Sequence, residues 1–536
     1  MSTFFTNLHA IDITIIVVYI IGITWWGLKN AKNETSNDYF LAGRNMTWIV
    51  VGLSLFSASI STSTLIGHSG SAYKYGMVIF NYNLISILVM IFFAWIFLPF
   101  YIKSGVFTMP EFLERRFDQR SKYYFSGIAV FGGIFMDVSA TLYGSAMIFK
   151  IIFPEMELQV IVILAALIVA SYTIPGGLNS VIKTEVIQAV ILIFGSVILA
   201  FIAQRNVGSW DVLAQRFHDT VYLHLIRNTN DIAIPWPALI LSLPILGFYF
   251  WGNNQQLVQR VLSAKSVDHG RKGVLLTGFL TMLTLYFIFI PAMQAAAAFP
   301  DVNPADGIYP KMVTTWMPTI FLGIMLAVMV SALTASLSAC LNSVSTLFTM
   351  DFYRKLDTKA SSKKLVRVGQ ITSTVVLIIG VLWAPQIQKF GTLINYYNEI
   401  LSYVGPPIVA AFMLGLFWKR ANATGIFSGL LSTFVMALFM FFYGKEHFIK
   451  SVQNPDAPLH WLYLAPINFF FVGLVMVVVS LLTAPPPLEK TEGNVITREF
   501  FTDEALAFKN VKFYNDFRVW ALALFALCFV VMFLYW

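Results

Sequence analysis

Long apolar segments alternate with short polar stretches along the whole chain. An α-helix needs about 20 apolar residues to cross the hydrocarbon core of a bilayer, and most of the segments reach that length. The pattern predicts fourteen spans, near residues 11–28, 47–72, 77–102, 123–152, 157–176, 185–205, 235–258, 273–298, 313–350, 368–388, 396–418, 423–443, 461–484 and 517–535. It therefore predicts an all-α polytopic membrane protein with about fourteen transmembrane helices.

The second span contains a polar interruption where a bilayer would be driest. Between Ser57 and Thr64, six of eight residues carry a hydroxyl, and such side chains compete with helical backbone hydrogen bonds. One interpretation is a helix that unwinds at mid-membrane, so that freed carbonyl and hydroxyl oxygens bind a small cation. The other is that these hydroxyls bond to their own turn or pack against a neighbouring helix.

The seventh span has a similar interruption between Gly247 and Gln256, after Pro244. Interrupted helices at corresponding positions of two halves indicate an inverted repeat with its binding site at the midplane. We therefore expect one transmembrane domain over residues 1–536. Its parts are an extra N-terminal helix at 11–28, a first repeat at 47–205, a second repeat at 235–418, and C-terminal helices within 423–535 that include a cytoplasmic linker at 485–516.

Composition and charge agree with this topology. The chain is 58% hydrophobic and 12% charged, with a mean hydropathy of +0.73, which is outside the range of soluble proteins. With both termini outside, most of the 35 Lys and Arg residues fall in cytoplasmic loops, as the positive-inside rule requires. We expect a multi-pass protein of a plasma membrane, of the bacterial inner-membrane kind, with the lipid bilayer and no nucleic acid among its partners.

Acidic residues at membrane depth suggest functional sites because burying a charge there is unfavourable. Asp137 lies well inside the fourth span and is either a ligand for solute or cation, or a paired structural carboxylate. Glu185 begins the sixth span and either lines an inner cation path or interacts with the helix start. Ser336 and Ser338 in the ninth span could supply oxygens to a cation opposite the second span. No enzyme motif is found, so we expect no enzymatic activity.

Several segments resemble the solute:sodium symporter family, and most closely its sodium/sugar branch. They occur in family order over nearly the whole chain: DYFLAGR at 38–44, IGHSG at 66–70, MPEFLERRF at 109–117, YTIPGGL at 172–178, QRVLSAKS at 259–266, LNS at 341–343 with FTMD at 348–351, and LGLFWKR at 414–420. The resemblance implies a LeuT-type fold of two inverted five-helix repeats. It also implies alternating access coupled to Na⁺, with no other cofactor.

The resemblance implies a Na⁺ site between the second and ninth spans. Its ligands would be the carbonyls of Ser57, Ile60 and Ala332 and the hydroxyl of Ser336, while Ala335 replaces a second hydroxyl that the family usually has. Some relatives hold a second Na⁺, which here would involve Glu185 and Ser338. That site lacks one hydroxyl, because Ala339 stands where such relatives have a hydroxyl residue.

The resemblance also assigns a solute pocket and its gates. The pocket residues would be Ser59, Thr64, Tyr82, Asn83, Ser86, Asp137, Asn254, Gln255 and Asn398, and the gate residues His68, Phe250 and Trp251. Sugar-binding relatives carry other residues at five positions: Gln at Thr64, Glu at Asn83, Asn at Asp137, Lys at Thr281 and Gln at Asn398. Their inner-gate Tyr falls on Phe250.

We therefore predict a Na⁺-coupled symporter that imports a small neutral polar solute, a sugar or polyol in particular. Replacement of Glu by Asn83 and of Asn by Asp137 would move the pocket carboxylate rather than remove it. The alternatives are a symporter for another small solute, either an organic cation or an amino-acid-like molecule, and a solute sensor that does not transport.

Overall fold

The computed structural model describes residues 9–31, 35–152, 155–218, 221–390, 393–449, 458–508 and 511–536. Within these ranges the regular secondary structure is helical, and β-type pairing is limited to the isolated bridges Met46–Ala264 and Ile449–Leu459. In the described part of the chain, eleven continuous helical stretches, some of which join several of the helices numbered below, are long and apolar enough to cross a membrane. The prediction of an all-α polytopic membrane protein is confirmed.

The helices are numbered in chain order. Those up to Leu262 are α1 (Ala10–Lys29), α2 (Ser36–Leu41), α3 (Trp48–Ser59), α4 (Thr62–Tyr75), α5 (Asn81–Phe92), α6 (Leu98–Ser104), α7 (Met109–Arg116), α8 (Gln119–Gly132), α9 (Ser139–Ile152), α10 (Leu158–Val207), α11 (Trp210–Arg216), α12 (Trp236–Leu241), α13 (Leu243–Phe248) and α14 (Gln255–Leu262). Short π-helical turns at Phe93–Phe97 and Gly133–Val138 join α5 to α6 and α8 to α9.

The remaining helices are α15 (Val267–Thr284), α16 (Ile290–Ala298), α17 (Ile308–Trp316), α18 (Phe321–Leu347), α19 (Arg354–Leu356), α20 (Ser362–Trp383), α21 (Leu393–Phe417), α22 (Ala423–Phe439), α23 (Lys445–Phe448), α24 (Leu464–Leu482), α25 (Leu488–Thr491), α26 (Arg498–Ala507) and α27 (Phe517–Leu534). Here too, π-helical turns at Leu285–Phe289 and Phe348–Tyr353 continue one helix into the next.

Helical structure stops between α3 and α4, inside the hydroxyl-rich stretch. Helix α3 ends at Ser59 and α4 begins at Thr62, and Ile60 and Ser61 are not helical. Ser61 has an extended backbone, and its side chain accepts a hydrogen bond from the Thr64 N–H at 3.1 Å. This is the arrangement of a helix N-cap, for which Ser is strongly preferred.

A second interruption lies between α13 and α14. A π-helical turn covers Tyr249–Asn253, and Asn254 then has an extended backbone with ψ 118°. The Asn254 carboxamide oxygen accepts a hydrogen bond from the Gln256 N–H at 2.9 Å and so caps α14. The polar run after Trp251 therefore contains the cap that allows a new helix to begin.

Helix α18 forms the centre of the bundle. Every residue from Met325 to Leu347 is buried, and the many small residues of this stretch allow close approach of neighbouring helices. Helix α18 packs against α10, α1, α3 and α14. Its first turn is held by the carboxylate of Asp12 in α1, which accepts hydrogen bonds from the Ile320 and Gly323 N–H groups, both at 2.9 Å.

Helix α10 bends sharply at Pro175 and Gly177, which divides it into two straight parts. Gly177 has φ 59° and ψ −164°, a backbone conformation that is essentially restricted to glycine. A Cβ atom at this position would lie 2.7 Å from the Tyr39 carbonyl oxygen. Both the dihedral angles and the close approach of α2 therefore require glycine.

We predict that Gly177→Ala destabilises the protein by about 1–3 kcal/mol, because a side chain there adds backbone strain and a clash with Tyr39. The measurement is the Tm of the detergent-solubilised full chain. Gly127→Ala is the matched control, because a Cβ at Gly127 of α8 meets nothing within 4 Å. Equal Tm values for the two variants would contradict this explanation of the bend.

Candidate binding site

A cavity of about 400 Å³ lies where the interruption between α3 and α4 faces α5, α18 and the end of α13. Its size is within the range of small-molecule sites in proteins. Eleven of the expected site residues contribute to its lining: Ser59, Ile60, Thr64, His68, Tyr82, Asn83, Ser86, Asp137, Phe250, Trp251 and Ser336. Residues from five separate stretches of the chain therefore converge on one cavity.

Oxygen atoms suited to a cation occur where α3 ends. The last carbonyls of an α-helix have no partner within the helix, and those of Ser57 and Ser59 are in this position. Ile60 lines the cavity, as does Ser336 of α18, and α3 packs against α18. Ala332 and Ala335 are buried on the same helix, and the Ala335 side chain has no oxygen to offer.

The hydroxyls of this stretch bond largely to nearby groups. Ser59 Oγ donates to the Phe56 carbonyl at 2.8 Å, and Thr64 Oγ1 donates to the Ser59 carbonyl at 3.4 Å. Ser61 Oγ and Thr64 Oγ1 are 3.0 Å apart. These hydrogen bonds agree with the interpretation in which the hydroxyls bond to their own turns, and binding of a cation by freed oxygens stays a prediction. The hydroxyls stabilise their own turns, and the helix nevertheless ends beside the cavity.

One wall of the cavity combines aromatic and amide groups. The rings of His68 and Tyr82 are stacked with centroids 6.5 Å apart, and His68 also contacts Phe289 with centroids at 5.4 Å. Asn83 Nδ2 donates to Thr284 Oγ1 at 2.8 Å, which orients the amide. Such a wall offers apolar ring faces and a few oriented polar groups, as is typical of solute sites.

The charge of the cavity comes from one carboxylate. Asp137 accepts a hydrogen bond from the Tyr397 hydroxyl, and both residues line the cavity. No Lys or Arg occurs among the described lining residues. Next to Asp137, the Cys340 thiol donates to Gln256 Oε1 at 3.3 Å. The cavity therefore favours neutral or cationic ligands over anions.

Phe250 and Trp251 line the cavity, and their rings are in edge contact at a centroid distance of 5.3 Å. Trp251 is 6% exposed, and its Nε1 has no hydrogen-bond partner in the described part of the chain. A separate cavity of about 30 Å³ lies at the other side of Asp137, Gln256 and Cys340, which line both cavities.

The other expected pocket residues lie outside the larger cavity. Asn254 and Gln255 line the smaller one. Asn254 caps α14, while Gln255 accepts a hydrogen bond from the Met109 N–H at 2.8 Å and donates one to the Phe107 carbonyl at 3.2 Å. The side chain of Asn398 is outside the described part of the structure.

Glu185 is buried and forms an ion pair with Arg260, whose Nε lies 3.0 Å from Glu185 Oε2. Ser54 of α3 also donates to this carboxylate, and Arg260 donates to the Gln256 carbonyl. Ser338, the predicted partner of Glu185 in a second Na⁺ site, is buried and donates to the Ala335 carbonyl at 2.9 Å. In this structure the charge of Glu185 is thus balanced by Arg260.

Sequence reasoning missed the role of Arg260. The side chain is fully buried. Its partner is 75 residues away in sequence, so no local pattern reveals the pair. Gln256 and Cys340 were likewise missed as cavity residues. The nearest sequence signal was the position of Cys340 one helical turn after Ser336.

We predict that Glu185→Gln lowers stability by about 3–5 kcal/mol, because it leaves the buried guanidinium of Arg260 without a counter-charge. The readout is the Tm of the purified full chain. The double variant Glu185→Leu/Arg260→Met is the control, since removal of both charges is often close to neutral. If Glu185→Gln is as stable as the wild type, the buried charge of Arg260 does not depend on Glu185 for its compensation.

Comparison with known proteins agrees with the fold. The family model described as the sodium:solute symporter family matches residues 39–432. The sodium/myo-inositol cotransporter of Mus musculus is 32% identical over 94% of this chain and 77% of that protein. The sodium/glucose cotransporter 1 of Oryctolagus cuniculus is 32% identical over 89% of this chain and 80% of that protein.

Among solved structures, the substrate-bound outward-open state of a Na⁺-coupled sialic acid symporter superimposes with a TM-score of 0.78. It is 22% identical and the match covers 89% of this chain and 99% of that one, which shows a shared fold. The match to the family model covers most of the chain, and the resemblance read from its motifs is confirmed. The chain belongs to the sodium:solute symporter family.

Proposed function

We propose that this member of the family uses the Na⁺ gradient to import a small neutral polar solute, a sugar or polyol, by alternating access. The observation that carries the proposal is the shared cavity. Ile60 at the helix interruption and Ser336 of α18 line the same space as the polar and aromatic wall around Asn83 and Tyr82. Cation and solute would therefore bind side by side.

The proposed membrane arrangement has fourteen spans and a LeuT-type 5+5 inverted repeat, with interrupted helices in spans two and seven. Three spans are added to the eleven apolar helical stretches of the described chain. The bent α10 is counted there once but is long enough for two spans. The interrupted pairs α3–α4 and α13–α14 each supply one more span, because neither pair is a single unbroken helix. The repeats would cover residues 47–205 and 235–418, within one domain of residues 1–536. Both termini would be extracytoplasmic, in a plasma membrane such as a bacterial inner membrane.

Coupling follows from the position of the cation ligands. Na⁺ bound by the carbonyls of Ser57, Ile60 and Ala332 and by Ser336 Oγ would fix α3 and α4 against α18. This also fixes Ser59 and Thr64, which face the solute. Such coupling between two ligands is reciprocal. Each inward charge adds about 2.3 kcal/mol per 100 mV of inside-negative potential.

The solute class is argued from the wall of the cavity. The hydroxyl, amide and carboxylate groups of Thr64, Ser86, Asn83 and Asp137 suit the hydroxyls of a polyol, and aromatic faces suit its C–H surfaces. The relatives named as sodium/myo-inositol and sodium/glucose cotransporters support this class. Asp137 is the one observation that favours a second candidate, a cationic solute.

Gating is assigned to the ends of the cavity. Phe250 and Trp251 would close the inner side, between the larger and smaller cavities, and His68 would act nearer the outer side. The cavity reaches Ile232 and Trp461, in loops that the proposed topology places outside. A second Na⁺ at Glu185 and Ser338 would require Arg260 to release the carboxylate.

The function is tested by uptake into proteoliposomes that contain the full chain. A panel of labelled sugars, polyols and amines is offered with an inward Na⁺ gradient, with K⁺ in its place, and with a proton gradient alone. We expect accumulation of a sugar or polyol that requires Na⁺ and increases with an inside-negative potential. Uptake that follows only the proton gradient would contradict the coupling ion, and saturable binding without uptake would indicate a sensor.

We predict that Ser336→Ala raises the Na⁺ concentration for half-maximal uptake at least tenfold. An interaction between a polar group and a charged partner contributes about 1.5–3 kcal/mol, and loss of the Ser336 hydroxyl would remove one such interaction with Na⁺. Ser345→Ala is the matched control on the same helix, because its hydroxyl donates to the Gly369 carbonyl at 2.8 Å and does not line the cavity, and we expect it to stay within twofold. Equal effects of the two substitutions would contradict the assignment of Ser336.

We predict that Asp137→Asn raises the KM for a neutral polyol by less than tenfold, because the amide keeps one acceptor oxygen. Uptake kinetics for polyols and amines of similar size provide the measurement. For a cationic solute the same substitution would remove the only carboxylate among the described lining residues. A hundredfold loss confined to amine transport would favour the second candidate.

A further inference from the structure

Helix α20 presents one continuous apolar face outward. Ile371, Val375, Ile378 and Leu382 are 57%, 48%, 54% and 66% exposed. Their spacing of three and four residues puts them on one side of the helix. At 1.5 Å per residue this stripe is about 16 Å long, roughly half the hydrocarbon thickness of a bilayer. In a bilayer such a stripe would face acyl chains.

The same face ends in two cations. Lys363 and Arg367 precede Ile371 at the same four-residue spacing, and both are exposed. Arg367 is one helical turn, about 5.4 Å, from the first apolar residue of the stripe. A long cationic side chain at this height reaches the level of the lipid headgroups. Along this face of α20, basic residues come first and apolar residues follow. A phospholipid has the same order, with a charged headgroup followed by apolar acyl chains.

The adjoining loop adds positive charge at the same level. Residues 354–367 contain Arg354, Lys355, Lys359, Lys363, Lys364 and Arg367, and Asp357 is the only acidic residue of this stretch. The neighbouring Leu356 is 86% exposed. The loop thus combines clustered cations with an exposed apolar side chain.

Internal pairing uses only some of these cations. Lys364 Nζ lies 2.7 Å from Asp357 Oδ2, and Lys355 Nζ lies 2.7 Å from Glu114 Oε1. Lys359, Lys363 and Arg367 have no acidic partner in the described part of the chain. Clusters of Lys and Arg at the cytoplasmic end of a transmembrane helix attract anionic lipids.

We infer that Lys359, Lys363 and Arg367 form a binding surface for anionic phospholipid headgroups at the inner end of α20. The lipid phosphodiester would lie against these three cations while its acyl chains follow the stripe from Ile371 to Leu382. The inference rests on the membrane topology that is part of the proposed function, and it adds a lipid partner that transport itself does not require. The surface lies at the start of α20, which packs against α18, the helix that carries Ser336.

The test uses the full chain purified in a neutral detergent. Dioleoyl phosphatidylglycerol or dioleoyl phosphatidylcholine is added in steps, and the Tm is followed to obtain the half-saturating lipid concentration. Each cation near an anionic surface contributes about fivefold in affinity. We expect the triple variant Lys359→Gln/Lys363→Gln/Arg367→Gln to need at least ten times more phosphatidylglycerol than the wild type. The response to phosphatidylcholine should be the same for both.

Two controls make the result specific. Arg205→Gln/Arg216→Gln removes two exposed cations at the opposite side of the bundle and should keep the wild-type response within twofold. If the triple variant already has a low Tm without lipid, the single variant Lys363→Gln replaces it. We expect this single variant to need severalfold more phosphatidylglycerol than the wild type. A triple variant that responds to phosphatidylglycerol as the wild type does would overturn the inference.

Inorganic phosphate separates a lipid surface from a phosphate site, and we expect it to leave the Tm unchanged. A phosphate effect that depends on the three cations would overturn the assignment to lipid. Uptake in pure phosphatidylcholine vesicles tests the proposed function independently. In these vesicles we expect the triple variant and the wild type to show the same Na⁺-dependent uptake. If neither protein shows Na⁺-dependent uptake, the transport proposal is refuted. The result of the lipid titration would still stand.

Discussion

A backbone carbonyl inside a bilayer has no water to bond, so a spanning segment that stops being helical must meet its hydrogen-bonding needs elsewhere. The chain meets this constraint between Ser59 and Thr62 in two ways. Ser61 caps the second helix, and Ser59 and Thr64 bond to nearby carbonyls. The last carbonyls of α3 still have no partner within the helix, and the end of α3 faces the cavity that Ser336 also lines. A small cation there would complete the bonding of the helix end.

The two interrupted segments are held together by buried charge. Ser54 of α3 and Arg260 of α14 bind the same carboxylate, that of Glu185 in α10. Arg260 also binds the carbonyl of Gln256, whose side chain lines the cavity. A buried pair of this kind contributes little net stability when intact, yet breaking it is very unfavourable. It therefore fixes the geometry around the cavity rather than adding stability.

The interruptions were visible in the sequence because hydroxyl and amide residues within an apolar run are a local signal. The lining by Ser59, Thr64 and Ser336 follows from that signal together with the family motifs. Other features depend on distant contacts. The burial of Arg260 depends on Glu185, and Asn254 turns away from the larger cavity because its side chain caps α14. Side-chain direction after an interruption is set by backbone angles that no local pattern specifies.

The central claim is that Na⁺ orders the helix interruption and thereby prepares the solute cavity. Hydrogen–deuterium exchange of the backbone amides of residues 57–64, compared in Na⁺ and in K⁺ on the full chain in proteoliposomes, tests it most directly. The account predicts slower exchange of this stretch in Na⁺, and loss of that protection in Ser336→Ala but not in Ser345→Ala. Identical exchange in the two ions, in a preparation that carries out Na⁺-driven uptake, would contradict the claim.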